Sequence, residues 1–379
     1  MPQQSQFLSD PELFLPVWFA LAAAVIVSFA VTPLVRMLAR KVGAIDDPSR
    51  DDRRMHSAPI PRLGGLAIFT GFMAAFLVFG AGQLDKTVTG ILIGAVIIVV
   101  VGAVDDTLTL PWWGKLIGQL AAAAIPVAFG LRAEIFTNPN IFSEGNTITL
   151  GILSIPVTIL WIIGITNAVN LIDGLDGLAV GVSGIASLSM LLIAIATGNP
   201  AAALLTAALT GGCLGFLPYN FNPARLFMGD SGALFLGYIL SCASILGLFK
   251  FYAVISFAVP FLILGLPIFD TAAAFFRRIA KKQNPLSTGD RGHVHHRLID
   301  MGFSQKQAVA ILYSVSAILG FSAVVLTTSG ELRVLILLLA VLAVSAVYIG
   351  IVNKNNRKPE AREDGDGEDD EDTPEETEE

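Results

Sequence analysis

The sequence predicts an all-α integral membrane protein of about eleven transmembrane helices, with its N-terminus outside and its C-terminus in the cytoplasm. Three observations carry that reading. First, 54% of the 379 residues are apolar and only 15% are charged, where a soluble domain carries roughly a quarter, and the mean hydropathy is +0.70. Second, apolar windows of spanning length recur along most of the chain. Third, Lys and Arg are sorted between alternate loops, 20 on one side against four on the other.

The expected spans are 14–36, 62–80, 88–104, 116–130, 151–167, 179–197, 201–218, 232–249, 255–276, 307–326 and 334–352. The first is too long for a cleaved signal peptide, and arginines follow it. The fourth is the weakest, being short and carrying Pro126. Between the fourth and fifth, 131–150 holds Asn, Pro and Gly turn signals and reads as a small hairpin or cap. The chain thus divides into an extracytoplasmic N-terminus (1–13), a transmembrane domain (14–352), to which the motifs below assign catalysis, and an acidic cytoplasmic tail (353–379). In the tail, residues 359–379 hold 13 acidic residues against Arg362 alone, a run that cannot bury enough surface to order itself. The rest of the chain has 23 basic and 18 acidic residues, so the overall charge of −7 belongs to the tail. Cys213 and Cys242 lie in apolar runs, which leaves no Cys-based metal site or disulfide framework.

The basic segments 36–62, 105–115, 168–178, 219–231 and 277–306 also hold the polar residues that interrupt the apolar pattern. Carboxylates at membrane ends are costly unless solvated or paired, so they point to function. In 167–178, Asn167, Asn170 and Asp173 recur at three-residue spacing along one helix face, and Gly174 and Gly177 then end the helix ahead of and behind Asp176. Oxygen donors without Cys or a neighbouring His favour magnesium over zinc, with manganese as a substitute. In 219–232, Asp230 between two glycines can cap a helix or offer an oxygen to a metal. Phe227 in the same loop can pack on the bilayer face or stack on a base. Asp105 and Asp106 repel each other and call for a cation, and Lys115 is near. His293, His295, His296, Arg291 and Arg297 make an anion-binding loop, in which Arg forks onto phosphate and His donates from its ring. The first basic loop adds His56 within Arg53–Gly65. None of these runs matches a P-loop, a dinucleotide fingerprint or a nucleic-acid module. Together they describe an oxygen-ligand metal site flanked by phosphate-attracting loops, which suits phosphoryl transfer at a membrane surface with a lipid as one substrate.

Five segments in order, R-R-M-H…P-R-L-G-G (53–65), D-D (105–106), N-A-V-N-L-I-D-G-L-D-G-L (167–178), F-M-G-D-S-G (227–232) and H-V-H-H-R-L (293–298), resemble the polyprenyl-phosphate N-acetylhexosamine-1-phosphate transferases. The resemblance spans about residues 14–350. It implies a magnesium-dependent transfer of a sugar 1-phosphate from a UDP-sugar to undecaprenyl phosphate, releasing UMP, by an enzyme of the cell membrane whose site faces the cytoplasm. By position it implies Asn170 and Asp230 as magnesium ligands, and Asp105 and Asp106 as the catalytic pair near Lys115. It further implies Asp176, Asn220 and Phe227 as nucleotide contacts, Asn167 among the substrate-binding residues, Asp173 as catalytic, and the His loop as the sugar-diphosphate embrace. A homodimer would suit the family. The spacing His293-Val-His295-His296 resembles the branch that uses UDP-N-acetylglucosamine (UDP-GlcNAc), whereas the peptidoglycan translocase branch, acting on UDP-MurNAc-pentapeptide, has three consecutive histidines. A secondary transporter is the non-enzyme alternative, but transporters hold ionisable groups near the midplane and in repeated halves. Only Asp270 sits well inside a span here, with Arg277 and Arg278 as its nearest expected partners.

Overall fold

A computed structural model describes residues 11–48, 59–133, 135–137, 147–247, 258–281 and 292–328. The main helices are α1 (Pro11–Val42), α2 (Gly65–Phe79), α3 (Lys86–Leu108), α4 (Trp112–Ala128), α5 (Ser154–Leu171), α6 (Leu178–Thr197), α7 (Pro200–Asn220) and α8 (Gly229–Gly247). After these come α9 (Ala258–Ile263), α10 (Gly265–Ala280), α11 (Val294–Asp300) and α12 (Gln305–Thr328). Two short antiparallel pairs accompany them: β1 (Ile45–Asp46) with β2 (Ile60–Pro61), and β3 (Ile135–Thr137) with β4 (Thr147–Thr149). The β3–β4 pair is the hairpin expected in 131–150.

Seven described helices are long and apolar enough to cross a membrane: α1, α3, α5, α6, α7, α8 and α12. The protein is therefore an all-α polytopic membrane protein. Its outward residues are what a hydrocarbon solvent demands, with Ile26, Leu34, Val78 and Leu160 all exposed. Helix α2 is apolar but shorter. The expected span 255–276 is two helices, α9 and α10, meeting at Leu264. Pro267 has no N–H for the Ile263 carbonyl, so one continuous helix loses a bond there, while Pro is tolerated in the first turn of a new one. In α10 the polarity is inverted: Asp270 and Arg278 are buried, and Phe269, Phe275, Phe276 and Ile279 are exposed. The expected span 334–352 and the acidic tail 353–379 lie outside the described residues.

Helix α8 is the axis. Every residue from Ser231 to Gly247 is buried, and the helix packs against α2, α3, α5, α6 and α7. Close approach is built from small residues. A Cβ on Gly65 would collide with the backbone of Gly232, and one on Gly102 with that of Ser231. Three backbone bonds lock the α2 entry to the α8 entry: Phe227 N–H to the Pro61 carbonyl (2.9 Å), Gly64 N–H to the Phe227 carbonyl (2.9 Å) and Gly65 N–H to the Met228 carbonyl (2.8 Å). Two of the five motifs thus form one structural unit.

Candidate active site

The polar helix ends converge on one end of the bundle, around a cavity of about 910 Å³. The ends of α1, α3, α5 and α7, the starts of α4, α8 and α12, and the loops 173–176 and 222–228 all reach it. Its floor is a cluster around one ammonium group. Lys115 Nζ lies 2.6 Å from Asp230 Oδ1 and 3.0 Å from Asp105 Oδ2, and 3.5 Å from Asn170 Oδ1. Asn170 Nδ2 also donates to Asp230 Oδ1. Residues 105, 115, 170 and 230 come from four different helices, so only the assembled bundle makes the cluster.

The paired aspartates have separate tasks. Asp105 takes Lys115 and accepts the Leu110 N–H at 2.7 Å. Asp106 accepts the Asp230 N–H at 2.8 Å and the Ser231 N–H at 3.0 Å. It satisfies the orphan donors of the α8 N-terminus from another helix, where the macrodipole favours an anion. Asp230 is therefore not the cap that its Gly-Asp-Ser-Gly setting allows. It sits inside the first turn, held in place by Asp106. Gly229 has φ +72°, and a Cβ there would strike the Asp106 carboxylate.

The loop after α5 forms another wall. One Asp176 oxygen accepts Asn222 Nδ2 (2.9 Å) and the Ala224 N–H (3.0 Å). Asn220 is buried and spends both ends of its amide, accepting the Gly177 N–H (3.1 Å) and donating to the Leu226 carbonyl (3.1 Å). Its part is to tie the two loops together. Phe227 lines the cavity half-buried, so of its two readings the bilayer-facing one is set aside. Arg62 pairs with Asp46, and Arg36, Arg40 and Arg225 share that end of the cavity.

Asp173 faces the same space. Burial, with the nearby carboxylates of Asp230 and Asp106, pushes its pKa up to about 8, against a smaller lowering by Arg62. The folded protein then keeps a proton that the unfolded chain releases above its ordinary value of 3.8. Stability from this group is present at low pH and falls as pH rises toward about 8. In metal-free detergent, thermal midpoints of the wild type are expected to drop from about pH 5 to pH 8, and those of Asp173→Asn to drop less. Parallel curves for the two proteins would remove this account.

The histidine loop is held from α10. His293 Nδ1 meets Asp270 Oδ2 at 2.8 Å, and the other Asp270 oxygen accepts the Val294 N–H at 2.9 Å. Asp270, expected to look toward Arg277 or Arg278, thus fixes the start of α11. His295 stacks on His293 and packs against Gly174, and its buried Nε2 has no hydrogen-bond partner among the described residues. Burial, with His296 beside it, pushes its pKa down to about 3. Burial thus keeps His295 neutral, with one ring hydrogen to donate rather than two. Of the three histidines only His296 lines the cavity.

Two further expectations are corrected. Asn167 is not on the cavity wall: it exchanges hydrogen bonds with Gln119 one helical turn deeper. Arg297 is exposed on α11 and does not reach the cavity. His56 and Arg291 lie outside the described residues. Sequence reasoning missed Gln119, Asn222 and Gln305. The signal for Gln119 was an uncharged polar residue four places after Lys115 inside an apolar run.

Among the described residues no three His, Cys, Asp or Glu side chains could by themselves hold a metal ion. Magnesium asks for less, typically one or two carboxylates with water and phosphate oxygens in the remaining places. Asp230 and Asn170 are in contact, and the carboxylate and the amide carbonyl are hard oxygen donors that a metal could share if Asn170 gave up its hydrogen bonds to Asp230 and Lys115. The carboxylates of Asp106, Asp173, Asp176 and Asp230 all line this cavity, where a cation would offset their charge. The donor set fits magnesium.

A helical membrane bundle that gathers carboxylates, a lysine and arginines around one cavity at its helix ends has the groups a membrane-embedded transferase would use. The chain belongs to glycosyl transferase family 4, whose profile matches residues 88–248. A Bacillus subtilis (strain 168) protein, named a probable undecaprenyl-phosphate N-acetylglucosaminyl 1-phosphate transferase, is 42% identical over 327 residues, 86% of this chain and 89% of its own. A Mycobacterium tuberculosis (H37Rv) decaprenyl-phosphate N-acetylglucosaminephosphotransferase is 34% identical over 334 residues, 80% of each chain. A Desulforudis audaxviator phospho-N-acetylmuramoyl-pentapeptide-transferase is 30% identical over 329 residues, 80% of this chain and 96% of its own.

Proposed function

We propose that the protein transfers N-acetylglucosamine 1-phosphate from UDP-GlcNAc to undecaprenyl phosphate, releasing UMP, at the cytoplasmic face of the cell membrane. This is the first membrane step of a cell-envelope glycan pathway. The observation that carries the reading is the Lys115–Asp105–Asp230–Asn170 cluster at the floor of a cavity large enough for a nucleotide sugar. The names of the two more similar relatives given above support N-acetylglucosamine over the muramoyl-pentapeptide. The 20-to-4 charge split supports the cytoplasmic side.

In this reading an oxygen of the lipid phosphate attacks the sugar-linked phosphorus of the donor, and the bond from that phosphorus to the UMP oxygen breaks. The lipid phosphate is already anionic near neutral pH, its second pKa being about 6, so positioning and charge matter more than proton removal. Lys115 draws phosphate oxygens to the floor, and Asp105 holds its ammonium there. Asp230 and Asn170 would hold magnesium, which supplies charge neutralisation at the phosphates. Asp106 keeps Asp230 in register by binding the α8 backbone. Phe227 offers a stacking face for the base, with Asp176 and Asn220 shaping the loop around it. His296 and the arginines at the cavity rim favour the diphosphate.

Purified protein with undecaprenyl phosphate and magnesium is expected to release UMP from UDP-GlcNAc and to leave UDP-MurNAc-pentapeptide untouched. Release from the pentapeptide donor alone would place the protein in the translocase branch.

A further inference from the structure

One turn beneath the catalytic cluster lies a second contact between the same two helices. Lys115 and Gln119 are four residues apart on α4, and Asn167 and Asn170 are three apart on α5, so each pair shares a helix face. Gln119 Nε2 donates to Asn167 Oδ1 at 3.2 Å, and Asn167 Nδ2 donates back to Gln119 Oε1 at 2.6 Å. Asn167 also reaches the Ile163 carbonyl at 2.8 Å. Gln119 is 3% exposed. Two amides in an apolar bundle are costly unless they satisfy each other, and when they do, only one vertical register of the helices serves both.

We propose that Gln119 and Asn167 are positioning residues, a reciprocal amide clamp that sets the height of Lys115 against Asn170 and Asp230. The inference rests on the catalytic reading of that cluster. Neither amide lines the cavity. A slip of α4 along α5 would separate Lys115 Nζ from Asn170 and Asp230, and a displacement of about 1 Å at reacting groups can cost a hundredfold in rate.

The clamp separates stability from rate. Asn167→Leu strands the buried Gln119 amide and should lower the thermal midpoint. Gln119→Leu should lower it less, because the half-buried Asn167 keeps the Ile163 carbonyl. The double variant leaves no amide stranded and should regain much of the loss. Turnover should behave differently. Each single variant is expected to lose about tenfold or more in kcat, with the donor KM within about twofold of wild type. The double variant should stay as slow as the singles despite its recovered midpoint. The exchanged pair Gln119→Asn/Asn167→Gln, which keeps the combined side-chain length, should recover both.

Recovery of kcat together with the midpoint in the leucine double variant would reduce the clamp to packing. A raised donor KM in Asn167→Leu alone would make Asn167 a substrate contact instead. The position of Lys115 can also be read without turnover, from the rate at which a short thiol cross-linker joins Lys115→Cys to Asn170→Cys. That rate should fall at least severalfold when both clamp residues are leucine, and an unchanged rate overturns the inference. If the wild-type protein turns over neither donor, the proposed reaction fails, while the cross-linking result still decides the clamp.

Discussion

Asp230→Ala is expected to lower turnover about a thousandfold, the scale of removing a preorganised charge from a phosphoryl-transfer site, with the protein still folded. Asp230 is the partner shared by Lys115 and Asn170, and the backbone around it is held separately by Asp106. Removing its carboxylate takes away a proposed magnesium ligand and frees Lys115 to turn wholly to Asp105. The fold should tolerate the change, because Asp106 still holds the backbone N–H groups at the start of α8 and Lys115 keeps Asp105 as a partner. Asn170→Ala removes a neutral donor and should be milder. UMP release and thermal midpoints measured on the same preparations check both. Near-normal release by Asp230→Ala at ordinary magnesium would strip Asp230 of its proposed role and leave it a first-turn residue of α8.

Gly65→Ala is expected to have the largest effect on stability. One methyl group has nowhere to go, since it would overlap the Gly232 backbone, and backbone cannot swing aside as a side-chain tip can. Overpacking of this kind costs about 1–3 kcal/mol or more. Here it also prises apart the bonds from Gly64 and Gly65 to Phe227 and Met228, which place the start of α8. Activity should therefore fall with the thermal midpoint. Gly164→Ala is the control, a helical glycine whose added Cβ meets nothing within 4 Å. There the better helix propensity of Ala should leave the midpoint equal or higher. Equal midpoints for Gly65→Ala and wild type would show that the α2–α8 contact has slack.

The contrast between these glycines shows what could and could not be read from the chain. The spanning helices were legible because a hydrocarbon solvent leaves a composition signal in every window. The cavity end of the bundle was legible for the complementary reason, that Asn170, Asp173 and Asp230 break that signal at the ends of spans on one side. What each polar residue does there was not legible. Asp105 and Asp106 are adjacent and chemically identical, yet about 100° of helical turn aims one at Lys115 and the other at α8. Asn167 lay on the same predicted face as Asn170, but one turn of depth moves it from the cavity to Gln119. Position along the bundle axis comes from how neighbouring helices are staggered, and no single helix encodes that.

The burial of α8 bears on how the protein is made. It has the lowest mean hydropathy of the seven candidate spans, 1.4, and the largest buried share, 89%. Such a segment gains little from lipid and must be retained by protein. Its packing partners α2, α3, α5, α6 and α7 all precede it in the chain, so each has left the ribosome before α8 emerges. The helix that brings Asp230 into the cluster arrives last among them, and fills the centre of helices already in the bilayer. A defect in any earlier helix would strand a weakly apolar segment at the translocon, and biogenesis would then fail before catalysis was ever tested.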